Sequence, residues 1–137
     1  MDEVTVTKRG ADRIRRGHLW IYRSDIVNTN DAAGGSIVVV LDQGHNFVGQ
    51  AFFSDSSQIA LRFLSLSEKP LDRDWWRQRI ADAAARRKSL LNANELTNAY
   101  RLIYSEGDLL PSLIVDRTTT CWCCKRCRRV LRHSNHC

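Results

Sequence analysis

Two clusters have residue types and spacings suited to chemistry. Between Lys8 and Arg23 stand six bases (Lys8, Arg9, Arg13, Arg15, Arg16 and Arg23), with Asp12 and His18 as the other charged or near-neutral titrating side chains, a local charge of about +5. Guanidinium forks donate paired hydrogen bonds to phosphate. The segment therefore suits a nucleic-acid backbone, and Lys8, Arg9, Arg13, Arg15 and Arg16 are the candidate RNA contacts. A solvated helix surface is the plainer reading of any lone charge run. Trp20 and Tyr22 could stack on an unpaired base, but among Leu19 and Ile21 they read as core residues. The second cluster is Cys121, Cys123, Cys124 and Cys127, followed by His133 and Cys137. Cys124, Cys127, His133 and Cys137 are one residue off a zinc-knuckle spacing, and four such ligands could close a tetrahedral site.

The elements that must position these residues fall on either side of a seam. The chain has 137 residues, 43% apolar and 26% charged, an ordinary globular mixture. Residues 1–117 hold 16 bases against all 15 acids, whereas residues 118–137 hold five bases, no acid and all five cysteines. Most of the net +6 is therefore tail. No stretch approaches the ~20 apolar residues of a membrane span, and Met1 to Arg9 has no apolar signal core. A cytoplasmic protein without membrane contact is expected.

In the body, Val4 to Val6 alternates as a short strand, and Lys8 to Arg16, with Ile14 its only large apolar residue, reads as an exposed helical segment that the apolar cluster Leu19 to Tyr22 could anchor to a core. Gly17 suits its end. Ile37 to Leu41 and Phe47 to Phe53 flank the turn Asp42 to Asn46, a hairpin signal, and Gln58 to Leu66 alternates again. Closing these strands into a small barrel would protect their edges. Asp72 can cap a helix reaching about Leu91, its apolar stripe carrying Trp76, Ile80, Ala83 or Ala84 and Leu90 or Leu91. Arg73, Arg77, Arg79, Arg86 and Lys88 fall on the opposite side. Tyr100 to Tyr104 and Leu113 to Val115, around the turn Glu106 to Asp108, would start a second sheet.

These residues also carry a resemblance. Lys8-Arg-Gly-Ala-Asp-Arg-Ile-Arg-Arg-Gly-His-Leu-Trp-Ile-Tyr22, with Gly49 to Ser54 and Gln58 to Ser65, resembles the N-terminal PUA domain of the bacterial S-adenosylmethionine-dependent large-subunit ribosomal RNA methyltransferases that modify cytosine at C5. Thr97 to Arg117, ending Glu-Gly-Asp-Leu-Leu-Pro-Ser-Leu-Ile-Val-Asp-Arg, resembles that family's small α/β linker domain. The resemblance implies an α+β chain, mostly β. Its parts would be a PUA-like pseudo-barrel at 1–69 that binds RNA, the start of the linker domain at 70–117, and an aberrant, disordered tail at 118–137. It implies ribosomal RNA as partner and leaves open a dimer through the linker region. S-adenosylmethionine belongs to the intact family. No glycine-rich cofactor loop follows a strand in this chain, so the expectation is a fragment with no cofactor, no metal and no catalytic residue. Leu110 and Ser112 stand where the family tends to have Gly, so a strained or reshaped turn is expected there.

The tail has a further reading in the genetic code. Read from the third base of codon 118, the codons of Thr118 to Cys127 become NAC, NAC, NTG, YTG, GTG, YTG, YAA, RCG and NTG, which encode an apolar strand such as the family has after Asp-Arg. A frameshifted, redox-labile segment of exposed thiols beside cations is therefore expected. The alternatives are a zinc-knuckle nucleic-acid binder using the Cys/His cluster and a non-functional remnant of a disrupted gene.

Overall fold

The computed structural model describes residues 2–91, 99–118 and 121–126. They divide into two compact units that meet in sequence at Glu68 and Lys69.

The first unit is built on β1 (Asp2–Val6), α1 (Lys8–Arg15), β2 (Trp20–Tyr22), β3 (Ile26–Asn28), β4 (Ile37–Asp42), β5 (Phe47–Phe53) and β6 (Ile59–Ser65). The strands form one sheet in the order β2-β6-β5-β4-β1-β3. Every pairing is antiparallel except β1 with β4, which is parallel. Strand alternation sends Val4, Val6, Val38, Val40, Leu61 and Phe63 into a common core. α1 adds Ile14, 1% exposed, and burying such a side chain is worth about 1.5–3 kcal/mol. That contact holds an otherwise polar helix to the sheet.

The sheet is a curled half-barrel rather than the closed one expected from edge protection. Its two ends, β2 and β3, are consecutive in the chain and joined by a 3-10 turn at Arg23–Asp25. Each is three residues long, and such short edges offer little template for pairing with another chain.

The Asp42–Asn46 turn forms as its sequence suggests. Asp42 Oδ1 accepts the Gly44 and Asn46 N–H groups at 2.9 and 3.0 Å, the local bonding that makes Asp a turn former. Its other oxygen accepts Arg15 Nη2 at 2.8 Å. Arg15, and after it the Asn46 N–H, hold this carboxyl at about 2 against an ordinary 3.8. A value depressed by folding contributes stability that is complete above the unfolded value and is lost as pH falls through the folded one. The acid loss of stability should thus include a component between pH 3.8 and about 2. Arg15→Ala should shrink that component, read from thermal midpoints at successive pH values; an unaltered slope would contradict the assignment.

The second unit comprises α2 (Arg73–Leu91), β7 (Ala99–Tyr104), β8 (Leu113–Thr118) and β9 (Trp122–Arg126), the strands forming a separate antiparallel sheet in that order. Asp72 Oδ1 accepts the Trp75 N–H at 2.8 Å, capping the helix as expected. The core joins Ala83 to Leu102, Ile103 and Leu110, with Trp76 and Ala84 packed against it. Ile80, expected on the buried stripe, is 42% exposed, and Leu90, expected there as the alternative to Leu91, is 67% exposed. The packed face instead runs through Trp76, Ala83, Ala84 and Arg87, whose small central residues let the helix approach the sheet.

Arg86, expected on the outer face, turns back with Arg87 to the same carboxylate. Asp108 Oδ1 accepts Arg86 Nη1 at 3.2 Å, and its Oδ2 accepts Arg87 Nη2 at 2.5 Å and the Tyr104 N–H at 2.7 Å. The turn beyond is strained, though not at Leu110. Leu109 and Ser112 have φ of 57° and 70°, conformations that cost roughly 1–3 kcal/mol each outside glycine, while Leu110 fills the core at 1% exposure.

The tail departs from the expected disorder in one stretch. β9 pairs with β8 from Trp122 opposite Arg117 to Arg126 opposite Leu113. Its entry is fixed by the Thr118 N–H on the Cys121 carbonyl at 2.9 Å and the Cys121 N–H on Thr118 Oγ1 at 3.1 Å. Trp and Cys side chains suit a half-exposed strand, and the edge of β8 supplies the hydrogen bonds. Cys121, Cys123 and Cys124 are free and exposed. Three of the knuckle ligands, Cys127, His133 and Cys137, lie outside the described residues.

Candidate nucleic-acid interface

The first unit places the basic segment on α1 and just beyond it. Thr7 caps the helix, its Oγ1 accepting the Gly10 N–H at 3.1 Å. Gly17, at φ 95°, ends it. The Gly17 N–H bonds the Ile14 carbonyl at 2.9 Å and the His18 N–H bonds that of Arg13 at 3.2 Å, the paired closure that favours glycine. With Ala11 and Ile14 turned inward, spacings of four residues bring Lys8, Asp12 and Arg16, and likewise Arg9 and Arg13, to one outer face. Together with His18 they line a depression of about 410 Å³.

Arg15 does not line it. Its guanidinium is engaged on the flank by Asp12 at 3.2 Å and Asp42 at 2.8 Å, and these hydrogen bonds, Asp42 first, push its pKa up from the usual value. Arg9 faces the depression but is also paired, its Nε and Nη2 donating to Asp25 Oδ1 at 2.9 and 2.7 Å. It remains 71% exposed, and since guanidinium has five donors, it keeps others for an incoming anion. Lys8 and Arg16 are exposed and bonded to no side chain among the described residues.

Asp25, 1% exposed, is the centre beneath these groups. Thr7 Oγ1 donates to its Oδ1 at 3.1 Å, and a side chain at Gly10 would meet its Cβ at 3.1 Å. Glycine there is what lets α1 lie this close. Arg13 Nη1 stands 3.9 Å from Asp25 Oδ2; both atoms are buried and neither has a hydrogen-bond partner. The same guanidinium lies 5.1 Å from the Tyr22 ring centroid, within cation–π range.

Trp20 and Tyr22 are not core residues. β2 buries Ile21 completely and leaves Trp20 40% and Tyr22 41% exposed on its other face. The signal that would have found them is the period of two in this short strand: if Ile21 points inward, its neighbours cannot.

Among the described residues no helix is long and apolar enough to cross a membrane. Nor does any described strand lead through a glycine-rich loop into a helix; β1 passes to α1 through Thr7 alone.

Residues 4–66 match the family model described as a PUA-like domain, which defines the class of the first unit. The chain is 36% identical over 123 residues to the ribosomal RNA large subunit methyltransferase I of Shewanella frigidimarina, covering 86% of this chain and 30% of that protein. It is 35% identical over 117 residues to the ribosomal RNA large subunit methyltransferase of Deinococcus radiodurans, covering 82% and 29%. Over most of its length the chain is homologous to proteins named as ribosomal RNA large subunit methyltransferases, and it spans about 30% of the length of the curated relatives it matches. A solved structure of a candidate SAM-dependent methyltransferase from Streptococcus mutans shares the fold, with TM-score 0.71 and 20% identity over 85% of this chain and 30% of that one.

Proposed function

We propose that the first unit binds structured ribosomal RNA through its phosphates, with Lys8, Arg9, Arg13 and Arg16 as the contacts and Arg15 adding only to the field. The observation that carries this reading is the depression lined by four bases and His18 against one acid, Asp12. A phosphate set there would meet donors from two turns of α1. On this reading the unit delivers RNA, in the cytoplasm, to an S-adenosylmethionine-dependent methyl transfer in which none of the described residues takes a chemical part. Likeness to proteins named as ribosomal RNA large subunit methyltransferases supports the choice of RNA.

The test is a salt-dependent titration of the full chain against a structured ribosomal RNA fragment. Arg13→Glu together with Arg16→Glu should weaken binding at least tenfold and lower the slope of log affinity against log salt by about 0.9 for each phosphate no longer neutralised. The basic tail is common to both proteins and cancels in the comparison. Unchanged affinity in the double variant would remove this face from the reading.

A further inference from the structure

The depression accounts for the bases of α1 but leaves the outer face of β2 without a role. Trp20 and Tyr22 present 40% and 41% of their surface to solvent, on a strand with a hydrogen-bonded neighbour, β6, on one side only. Two large aromatics on one face of a three-residue edge strand do nothing for the core, which Ile21 fills by itself. Their separation along the strand is about 6.7 Å at ~3.35 Å per residue, comparable with the thickness of one or two stacked bases at ~3.4 Å each.

Arg13 joins this face to the depression. Its guanidinium lies over the Tyr22 ring at 5.1 Å and also lines the cavity with Lys8, Arg9 and Arg16. A phosphate held by Arg13 would therefore lie beside the Tyr22 ring. On the partner strand Arg62 stands opposite Trp20, with its guanidinium bonded to the Ile59 carbonyl at 3.1 Å, so the strip is flanked by positive charge at its second edge as well.

We propose that Trp20 and Tyr22 form a stacking platform for an unpaired base, so that the protein selects RNA in which a bulged or extruded nucleotide adjoins a paired stem. This deepens the phosphate-binding reading and rests on it. Stacking on an aromatic side chain recognises the π face, which every base has, so the selectivity is for an unpaired nucleotide rather than for a particular letter. An apolar protein segment would suit the aromatics but not the four bases beside them.

The experiment uses the full chain and two RNA hairpins of one sequence, one fully paired and one carrying a single bulged nucleotide, with 2-aminopurine at the bulge for a fluorescence readout. The protein should bind the bulged hairpin about 5- to 100-fold more tightly and quench the 2-aminopurine. Trp20→Ala should abolish both the preference and the quenching while leaving affinity for the paired hairpin within about twofold. Trp20→Phe, which keeps a ring, should retain most of both and controls for folding. Equal affinity of the unaltered protein for the two hairpins, or quenching that survives Trp20→Ala, would overturn the platform and leave phosphate binding standing. Failure to bind either hairpin would overturn both, and would reassign the exposed rings to a protein partner.

Discussion

Asp108→Ala should destabilise the second unit by about 3 kcal/mol or more, the cost of leaving a charge without its partner inside a protein. The magnitude turns on how far each partner can escape to water. The Asp108 side chain is fully buried, and Arg87 is only 19% exposed, whereas Arg86 is 49% exposed. Arg86 can re-solvate at little cost, as exposed ion pairs are worth at most about 1 kcal/mol. Arg87 Nη2 and the Tyr104 N–H cannot, and each loses its acceptor, although Arg87 Nε keeps the Arg101 carbonyl. Asp108→Asn should fall between the two, since an amide oxygen can still accept from Tyr104 but brings an amino group against two guanidiniums. Urea unfolding followed by tryptophan fluorescence in a Trp20→Phe background, which leaves Trp75, Trp76 and Trp122, reads this unit. A loss under about 1 kcal/mol in the alanine variant would mean that the turn is held by Leu110 and the strands, not by the buried carboxylate.

The second large effect is expected at Asp25, where stability and binding should move in opposite directions. Asp25→Ala removes the acceptor of Thr7 and of two Arg9 donors and so loosens the start of α1. Arg9 is 71% exposed and re-solvates easily, which lowers the expected loss to about 2 kcal/mol, mostly from hydrogen bonds to a charged group. At the same time Arg9 no longer shares its donors and the depression gains a full positive charge in net terms. RNA binding at low salt should therefore be at least as tight as before at temperatures where the variant is folded. Thermal unfolding and RNA titration of the same preparation measure both. Weaker RNA binding by a folded Asp25→Ala protein would show that the carboxylate orients Arg9 and Arg13 for the phosphate, rather than competing with it.

The sequence made legible those features that depend on short-range chemistry. The turn at Asp42, the helix end at Gly17, the cap at Asp72 and the hairpin of β4 with β5 all follow from residue types only a few positions apart. Long-range acceptors were invisible, and they changed the interface most. Nothing near Arg9 or Arg15 in sequence announces that Asp25 and Asp42 will reach them. Only the fold separates exposed bases such as Lys8 and Arg16 from bases already engaged. Trp20 and Tyr22 were misplaced for a different reason: four consecutive apolar residues look like core until strand alternation splits them. In the second unit, the stripe found Trp76 and the alanines, but hydrophobicity alone could not show that Ile80 would be left out while Arg86 and Arg87 turned back to Asp108. β9 was missed because its residues are foreign to an apolar strand pattern, yet the free edge of β8 is satisfied by backbone pairing, to which side-chain identity matters less.

The parallel pairing of β1 with β4 has a consequence for how the molecule comes into being. Asp2 lies against Val38 and Val6 against Asp42, so β1 has no parallel neighbour until β4 has emerged from the ribosome. α1 hangs directly from β1 and is unanchored for the same interval. Local hairpins can close early, but a pairing of this sequence separation must wait. The positively charged helix thus cannot be fully seated before residue 42 has been made, and until then its bases lie unfolded beside a large excess of ribosomal polyanion.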